Sequence, residues 1–411
     1  MTGQLAAWHT ALEEIVNGAH LATASELTRI LDDATARLGV STQLYLVDMA
    51  QRQLCPVIGP AEGAIAIDAS LAGRSFRLTQ IVAVEAGPET GDRPALWLPV
   101  VNGTERLGVA RMALPAGTDP HDKHVRDRCW VLAGLIGHLV MSKLSYSDLF
   151  HLVRRTQPMS VASELLWQLL PPQTFACPEV VITAVMEPYN RVGGDGYDYS
   201  VDPHRAWFAV FDAMGHDLTA GLTSTLALAA TRNARRSGLG LIAAADLADE
   251  AILGQADSRL PPRFATAVLA ELDINTGVLR YLNAGHPPPV LLRANKMVKT
   301  LEGPLRLPLG LAYIGKHEPR LGREQLQPGD RVLLYTDGVT EARNADRQTF
   351  GLDRLVDLTE RHQSAGLAAP ETLRRISHAV LEHQKGRLQD DATLLLLEWS
   401  ADTAHSLLPD G

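Results

Sequence analysis

Apolar residues are spaced in more than one way along this chain, and each spacing marks a different kind of element. In Glu26–Leu38 (ELTRILDDATARL), Leu27, Ile30, Leu31, Ala34 and Leu38 fall on one helical face, with Ser25 placed to cap the start. Strand-like runs follow at Gln43–Val47, Gln53–Val57, Leu96–Val101 and Arg106–Met112, divided by turn signals such as Asn102-Gly103. A helix followed by such strands predicts an antiparallel sheet with flanking helices, α+β in class. From Val131 to Val153 the spacing changes to seven: Leu132, Leu139, Tyr146 and Val153 form one line, Leu135 and Leu149 a second, with Ser142 and Thr156 interrupting the latter. Heptads of this kind predict a two-stranded coiled coil, and with it a homodimer through this linker helix; the alternative is a helix packed on its own domain. Pro158 and Pro171-Pro172 bracket a second short helix at Ser160–Leu170.

The second half alternates strands and helices. Val180–Met186, Ala206–Phe211, Pro289–Leu292, Arg331–Tyr335 and Thr393–Glu398 have strand character, and Leu218–Arg232, Leu241–Leu253, Leu352–Arg361 and Glu371–Gln384 have helix length and content. Thr266–Leu272 and Val278–Leu282 flank Asp273-Ile274-Asn275-Thr276-Gly277, a hairpin. Hairpins with paired helices predict a β-sandwich flanked by helices (α-β-β-α), not a doubly wound parallel sheet. The expected division is a sensory-type domain over 1–126, a helical linker over 127–172, a second domain over 173–400 and a tail over 401–411.

Composition narrows the partners. With 46% hydrophobic and 21% charged residues the chain can bury sizeable cores, and 411 residues suit two of them. A net charge of −9 without a basic patch argues against nucleic acid or an anionic membrane surface. Cys55, Cys129 and Cys177 lack metal-ligand spacing and leave an odd one over, which fits a reducing compartment. The N-terminus lacks a basic n-region and carries Glu13 and Glu14, and the uncharged stretches Cys129–Ser142 and Leu218–Thr231 fall short of a span of ~20 residues. The expectation is a cytoplasmic protein.

The candidate chemistry is acidic. Asp195 and Asp198 (VGGDGYDYS), Asp212 (AVFDAMGHD), Asp337 (LLYTDGVTEA) and Asp390-Asp391 (LQDDAT) stand at the ends of predicted strands, several beside glycine. Carboxylates converging there would repel unless divalent cations neutralise them, and oxygen donors favour Mg2+ or Mn2+ over zinc. Each aspartate alone reads chiefly as a turn residue.

Together these motifs resemble the metal-dependent protein phosphatases of type 2C, and within them the SpoIIE-type branch that regulates bacterial sigma-factor signalling. The resemblance rests on LLWQLLPP, VGGDGYDY, FDAMGHDLTAG, FATAVLAELDINTGVLRYLNAGHPPPVLL, LPLGL, LLYTDGVTEAR and QDDAT in that order. It implies Asp195 and Asp212 as bridging ligands of two Mn2+ or Mg2+ ions, the Ala213 backbone carbonyl as a further ligand, and Asp337 and Asp390 as terminal ligands. Asp391 stands where the wider family often has Asn and would orient its neighbour; Asp198 is left between a turn and a supporting role. His216, four residues after Asp212, is a candidate proton donor to the departing serine oxygen. Arg191 is a candidate phosphate contact through its planar fork, or a surface charge. His286 is read as tying down a turn, and Asp217 as the cap of the helix from Leu218. The implied reaction is a single displacement on phosphoserine or phosphothreonine of a small partner, an anti-sigma-factor antagonist of STAS type. The phrase ALWLPVVNGTERLGVARMAL and the order of elements around it, over roughly residues 20–145, resemble a GAF domain, which implies gating by a small-molecule or protein ligand. A non-catalytic partner-binding switch on the same fold is the alternative function, and a two-metal nucleotide hydrolase a third.

Overall fold

The computed structural model describes residues 2–87, 93–187, 190–191, 193–215, 217–255, 262–315, 320–386, 388–399 and 402–409. The chain divides into two units, Met1–Gln157 with His405–Gly411, and Pro158–Ala404. The division falls inside the span expected to link two domains, and the heptad segment from Val131 to Val153 goes with the first unit.

The first unit is built from α1 (Thr2–Ala19), α2 (Ala24–Ala36), β1 (Ser41–Val47), β2 (Gln53–Pro56), β3 (Ile65–Ala66), α3 (Leu71–Leu78), β4 (Val82–Val84), β5 (Ala95–Asn102), β6 (Glu105–Ala113), α4 (Lys123–Leu144) and α5 (Asp148–Arg154). Its six strands form one antiparallel sheet in the order β3-β2-β1-β6-β5-β4. Helices α1, α2, α4 and α5 bury Ile15, Leu27, Leu31, Ile136 and Phe150 against Leu44, Leu98 and Met112 of that sheet. This is the antiparallel sheet with flanking helices that the strand runs predict.

Three expectations need correction here. The first helix is α1, not Glu26–Leu38: Trp8, Ala11, Ile15 and Ala19 are its buried stripe. The next helix starts at Thr23, not Ser25, because the Glu26 carboxylate accepts both the backbone N–H and the hydroxyl of Thr23 at 2.8 Å. The heptad lines do not run along one helix either. The pair α4 and α5 is bent by 107°, and Leu132 is fully buried while Leu135, Leu139, Leu149 and Val153 pack on the same core. Apart from the exposed Tyr146 the repeat packs within the unit, and the bend interrupts the continuous seam that a coiled coil over this segment needs. Among the described residues no single helix is long and apolar enough to cross a membrane.

The second unit contains α6 (Val161–Trp167), β7 (Thr174–Cys177), β8 (Val180–Glu187), β9 (Asp195–Asp202), β10 (Arg205–Ala213), α7 (Leu218–Arg236), α8 (Leu241–Leu253), β11 (Ala265–Asp273), β12 (Val278–Ala284), β13 (Val290–Arg293), β14 (Lys296–Thr300), β15 (Leu305–Arg306), β16 (Gly322–Gln325), β17 (Arg331–Tyr335), α9 (Asp337–Thr340), α10 (Leu352–Ser364), α11 (Ala369–His383) and β18 (Ala392–Trp399). One sheet runs β15-β12-β11-β10-β9 with β16 also paired to β12; the other runs β14-β13-β17-β18-β8-β7. Tyr197, Phe208, Val210 and Val268 of the first sheet meet Ile182, Leu334, Leu395 and Leu397 of the second in a common core. Helices α7 and α8 cover the outer face of the first sheet, α10 and α11 that of the second. Four layers result, the expected helix-flanked sandwich.

Candidate active site

The period of two along a strand sorts the acids of VGGDGYDYS. Tyr197 and Tyr199 point into the inter-sheet core, so Asp195, on the same face, points between the sheets at the sandwich's end. Asp198 takes the opposite face and meets α7: its carboxylate pairs with Arg232 at 2.5 Å and Arg235 at 2.9 Å, and its side chain is 3% exposed. Asp198 is therefore an ion-paired mid-strand residue and not part of a turn.

Asp195 stands directly opposite Asp212 in the antiparallel pairing of β9 with β10. The second sheet brings the other acids to the same end, because Asp337 follows β17, Asp390-Asp391 precede β18, and these two strands are neighbours. Two glycines make the approach possible. A Cβ on Gly338 would lie 1.7 Å from the Asp391 carbonyl oxygen, and one on Gly194 would lie 2.2 Å from that of Ala213.

Electrostatics records the convergence. Burial, then the charges of Asp212 and Asp391, holds the Asp195 carboxyl well above the usual range. Asp212 is pushed up to about 7 by burial and by Asp337, Asp390 and Asp391. Asp337 is raised by burial, Asp390 and Glu341. Asp391 is raised to about 6, chiefly by burial, against the opposing effect of backbone N–H groups from Gly193, Gly194 and Asp195. The charges acting on Asp212 are all of its own sign, and every donor in the set is an oxygen, which suits a hard divalent cation. Among the described residues no three Asp, Glu, His or Cys groups already stand at the spacing of a metal cage.

Residues 202–400 match the family described as Stage II sporulation protein E (SpoIIE). The second unit carries a SpoIIE-family domain. Asp195 lies just ahead of the matched span. Protein IcfG of Synechocystis sp. is 31% identical over 32% of this chain and 20% of its own length. Phosphoserine phosphatase RsbU of Bacillus subtilis is 25% identical over 53% of this chain and 62% of its own length. The chain thus spans less than two thirds of the length of these relatives. Among solved structures, the RsbU and RsbW domains of a Mycobacterium tuberculosis protein are 25% identical, with a TM-score of 0.46, covering 56% of this chain and 63% of that one.

Beside Asp337 and Asp390 of the SpoIIE domain lies a pocket of about 260 Å3, also lined by Gly338, Glu341, Arg343 and Gln389; Asp195 and Asp212 are not part of its wall. Asp390 is exposed and accepts the Asp391 N–H at 2.9 Å. Ala213 donates its N–H to the Gly194 carbonyl at 3.0 Å, which ties the strand carrying Asp212 to the turn before Asp195. Asp217 caps α7, accepting the Ala220 N–H at 3.0 Å. His286 is buried: Nε2 donates to the Tyr335 carbonyl at 3.0 Å, so Nδ1 accepts from the Thr266 hydroxyl at 2.7 Å. Burial lowers its pKa to about 4, and the neutral ring joins one sheet to the other two residues before Asp337. Arg191 is exposed in the loop before Gly193. His216 lies outside the described residues.

One supporting residue, Thr336, and one contact of another, Asp391, escaped the sequence reading. Thr336 donates its hydroxyl to Asp195 at 2.7 Å and accepts the Thr393 N–H at 2.9 Å. Asp391 does more than steady its neighbour: its N–H bonds the Asp390 carboxylate, and its side chain holds the Gly193–Asp195 turn. A Thr ahead of a conspicuous Asp is the only local sign of the first; the second depends on a contact across the fold.

Proposed function

We propose that the SpoIIE domain is a protein phosphatase that removes phosphate from phosphoserine or phosphothreonine with two Mn2+ or Mg2+ ions. The observation that carries this is the meeting of Asp195, Asp212, Asp337 and Asp390 at one end of the sandwich, where burial and neighbouring carboxylates raise the carboxyls of Asp195, Asp212 and Asp337. Asp195 and Asp212 would bridge the ions, with the Ala213 carbonyl, Asp337 and Asp390 completing the set. Such ions supply Lewis-acid charge neutralisation at phosphate and lower the pKa of water from ~15.7 toward ~7.

The chain's own residues make the site ready to receive them. Like-charged carboxylates hold each other apart, so a cation is what draws them to ligand spacing. Asp212 must give up its proton when a cation binds near neutral pH, because its carboxyl titrates at about 7 without one. Thr336 donates to Asp195 and so fixes which way that carboxylate points.

The substrate we propose is a phosphorylated regulatory protein, an anti-sigma-factor antagonist of STAS type. Support comes from the family match and from relatives whose names include phosphoserine phosphatase RsbU. The first unit, an antiparallel sheet with helices, is proposed as a GAF-like sensor that gates the activity. The decisive experiment is phosphate release from candidate phosphorylated antagonists and from p-nitrophenyl phosphate, with and without Mn2+. Cation-dependent release that is abolished in Asp212→Ala and Asp337→Ala supports the enzyme; binding of the partner without turnover replaces it by the non-catalytic switch.

A further inference from the structure

The Asp391 side chain is buried, and a single one of its oxygens, Oδ2, accepts three successive backbone N–H groups: Gly193 at 2.5 Å, Gly194 at 2.8 Å and Asp195 at 3.3 Å. Donors converging on one oxygen curl the chain around it, and the last of them belongs to the residue that faces Asp212. The same turn is gripped from other sides. The Gly194 carbonyl accepts from Ala213 at 3.0 Å and also from the Ser224 hydroxyl, and the Asp195 carboxylate accepts from Thr336 at 2.7 Å. Asp391 is the group that satisfies the turn's N–H donors, which would otherwise be buried without a partner.

We infer that Asp391 is a positioning residue, which through Oδ2 alone holds the Gly193–Asp195 turn and so aims Asp195 at Asp212, and that it is not itself a cation ligand. The inference rests on the metal site proposed above. Three N–H donors require an acceptor oxygen, not a charge. Asparagine offers that oxygen on a side chain of the same shape; alanine offers none. A ligand behaves differently, since it loses its anionic oxygen in both variants.

The test is a Mn2+ titration of the full chain, with free ion followed by electron paramagnetic resonance, for wild type, Asp391→Asn, Asp391→Ala and, as a marker of the site, Asp212→Ala. Positioning predicts an affinity within about threefold of wild type for Asp391→Asn and a loss of about 10–100-fold for Asp391→Ala. In the metal-free proteins, the amides of Gly193, Gly194 and Asp195 should exchange slowly in wild type and Asp391→Asn, and fast in Asp391→Ala. A tenfold or greater loss in Asp391→Asn, or unchanged affinity in Asp391→Ala, overturns the inference. Should Asp391→Ala fail to fold, the Asp391→Asn titration and its amide exchange decide alone, slow exchange with retained affinity supporting the clamp and fast exchange or lost affinity refuting it. A wild type that binds no Mn2+ sinks the proposed metal site, while the amide comparison still tests the clamp.

Discussion

Two aspartates three positions apart on β9 have opposite energetic roles. Asp198 is an anion with two arginine partners, and breaking such a pair leaves the arginines uncompensated. Because Arg232 and Arg235 keep some solvent contact, Asp198→Asn should cost about 2–3 kcal/mol, less than a fully buried pair would. Asp195 and its cross-strand partner Asp212 are buried acids among acids, so their ionised forms are disfavoured. With a carboxyl titrating at about 7, against an ordinary 3.8, Asp212 opposes folding once it is ionised and no cation is present. Asp212→Asn should therefore stabilise the metal-free protein by about 1–2 kcal/mol at pH 8 while abolishing phosphatase activity. Urea unfolding in EDTA, read beside p-nitrophenyl phosphate hydrolysis, checks both. If Asp212→Asn destabilises the metal-free protein as Asp198→Asn does, the account of the acid cluster is wrong.

At the scale of elements, the site depends on how closely α9 approaches the start of β18. The Cβ added by Gly338→Ala would meet the Asp391 carbonyl at 1.7 Å, and a backbone oxygen cannot swing aside as a flexible side chain would. We expect α9 to be displaced, Asp337 to part from Asp390, and hydrolysis to fall at least about 100-fold with the far-ultraviolet circular dichroism retained. Wild-type activity in Gly338→Ala would refute the close approach. Such approaches are what the sequence shows least well. Continuous apolar runs made β8, β17 and β18 legible within a residue or two, and helix-forming content did the same for α8 and for the start of α7, which runs on to Arg236 past the expected Arg232. β9 was not legible as a strand, since DGYDYSVD carries glycine and aspartate that read as a turn. Its Tyr197 and Tyr199 are paid for by the core, and its Asp198 by arginines 34 and 37 residues further on. The break after α4 has no Gly or Pro to announce it; burial of Phe150 against the first unit's core decides it. The four acids could be chosen from the sequence, but the clamp by Asp391 rests on contacts nearly 200 residues apart along the chain, which local patterns do not encode.

In the whole molecule, the two units have cores of their own, one around Leu27, Leu98 and Ile136, the other around Val210, Val268 and Leu395. A cation held by the acids of the second unit should therefore stabilise that unit and leave the first as it was. At an ion concentration of 100 times Kd, binding contributes about 2.7 kcal/mol, which for a unit of this size is a rise in Tm of roughly 5–10 °C. Calorimetry of the full chain should show one transition moving on addition of Mn2+ and one staying still. The size of the movement should depend on pH in a fixed direction. Asp212 and Asp391, raised from 3.8 to about 7 and about 6, bind protons in the folded metal-free state that the unfolded chain has already released. Their destabilising effect is thus absent below about pH 4 and complete above about pH 7, so metal-free stability falls across that window. A bound cation cancels the repulsion and expels the protons, so its stabilising effect grows over the same range. The Mn2+-induced rise in Tm should be several degrees larger at pH 8 than at pH 5.5, and should lose most of that dependence in Asp212→Asn. A shift that is constant or shrinks as pH rises would show that the cation binds elsewhere than among these carboxylates.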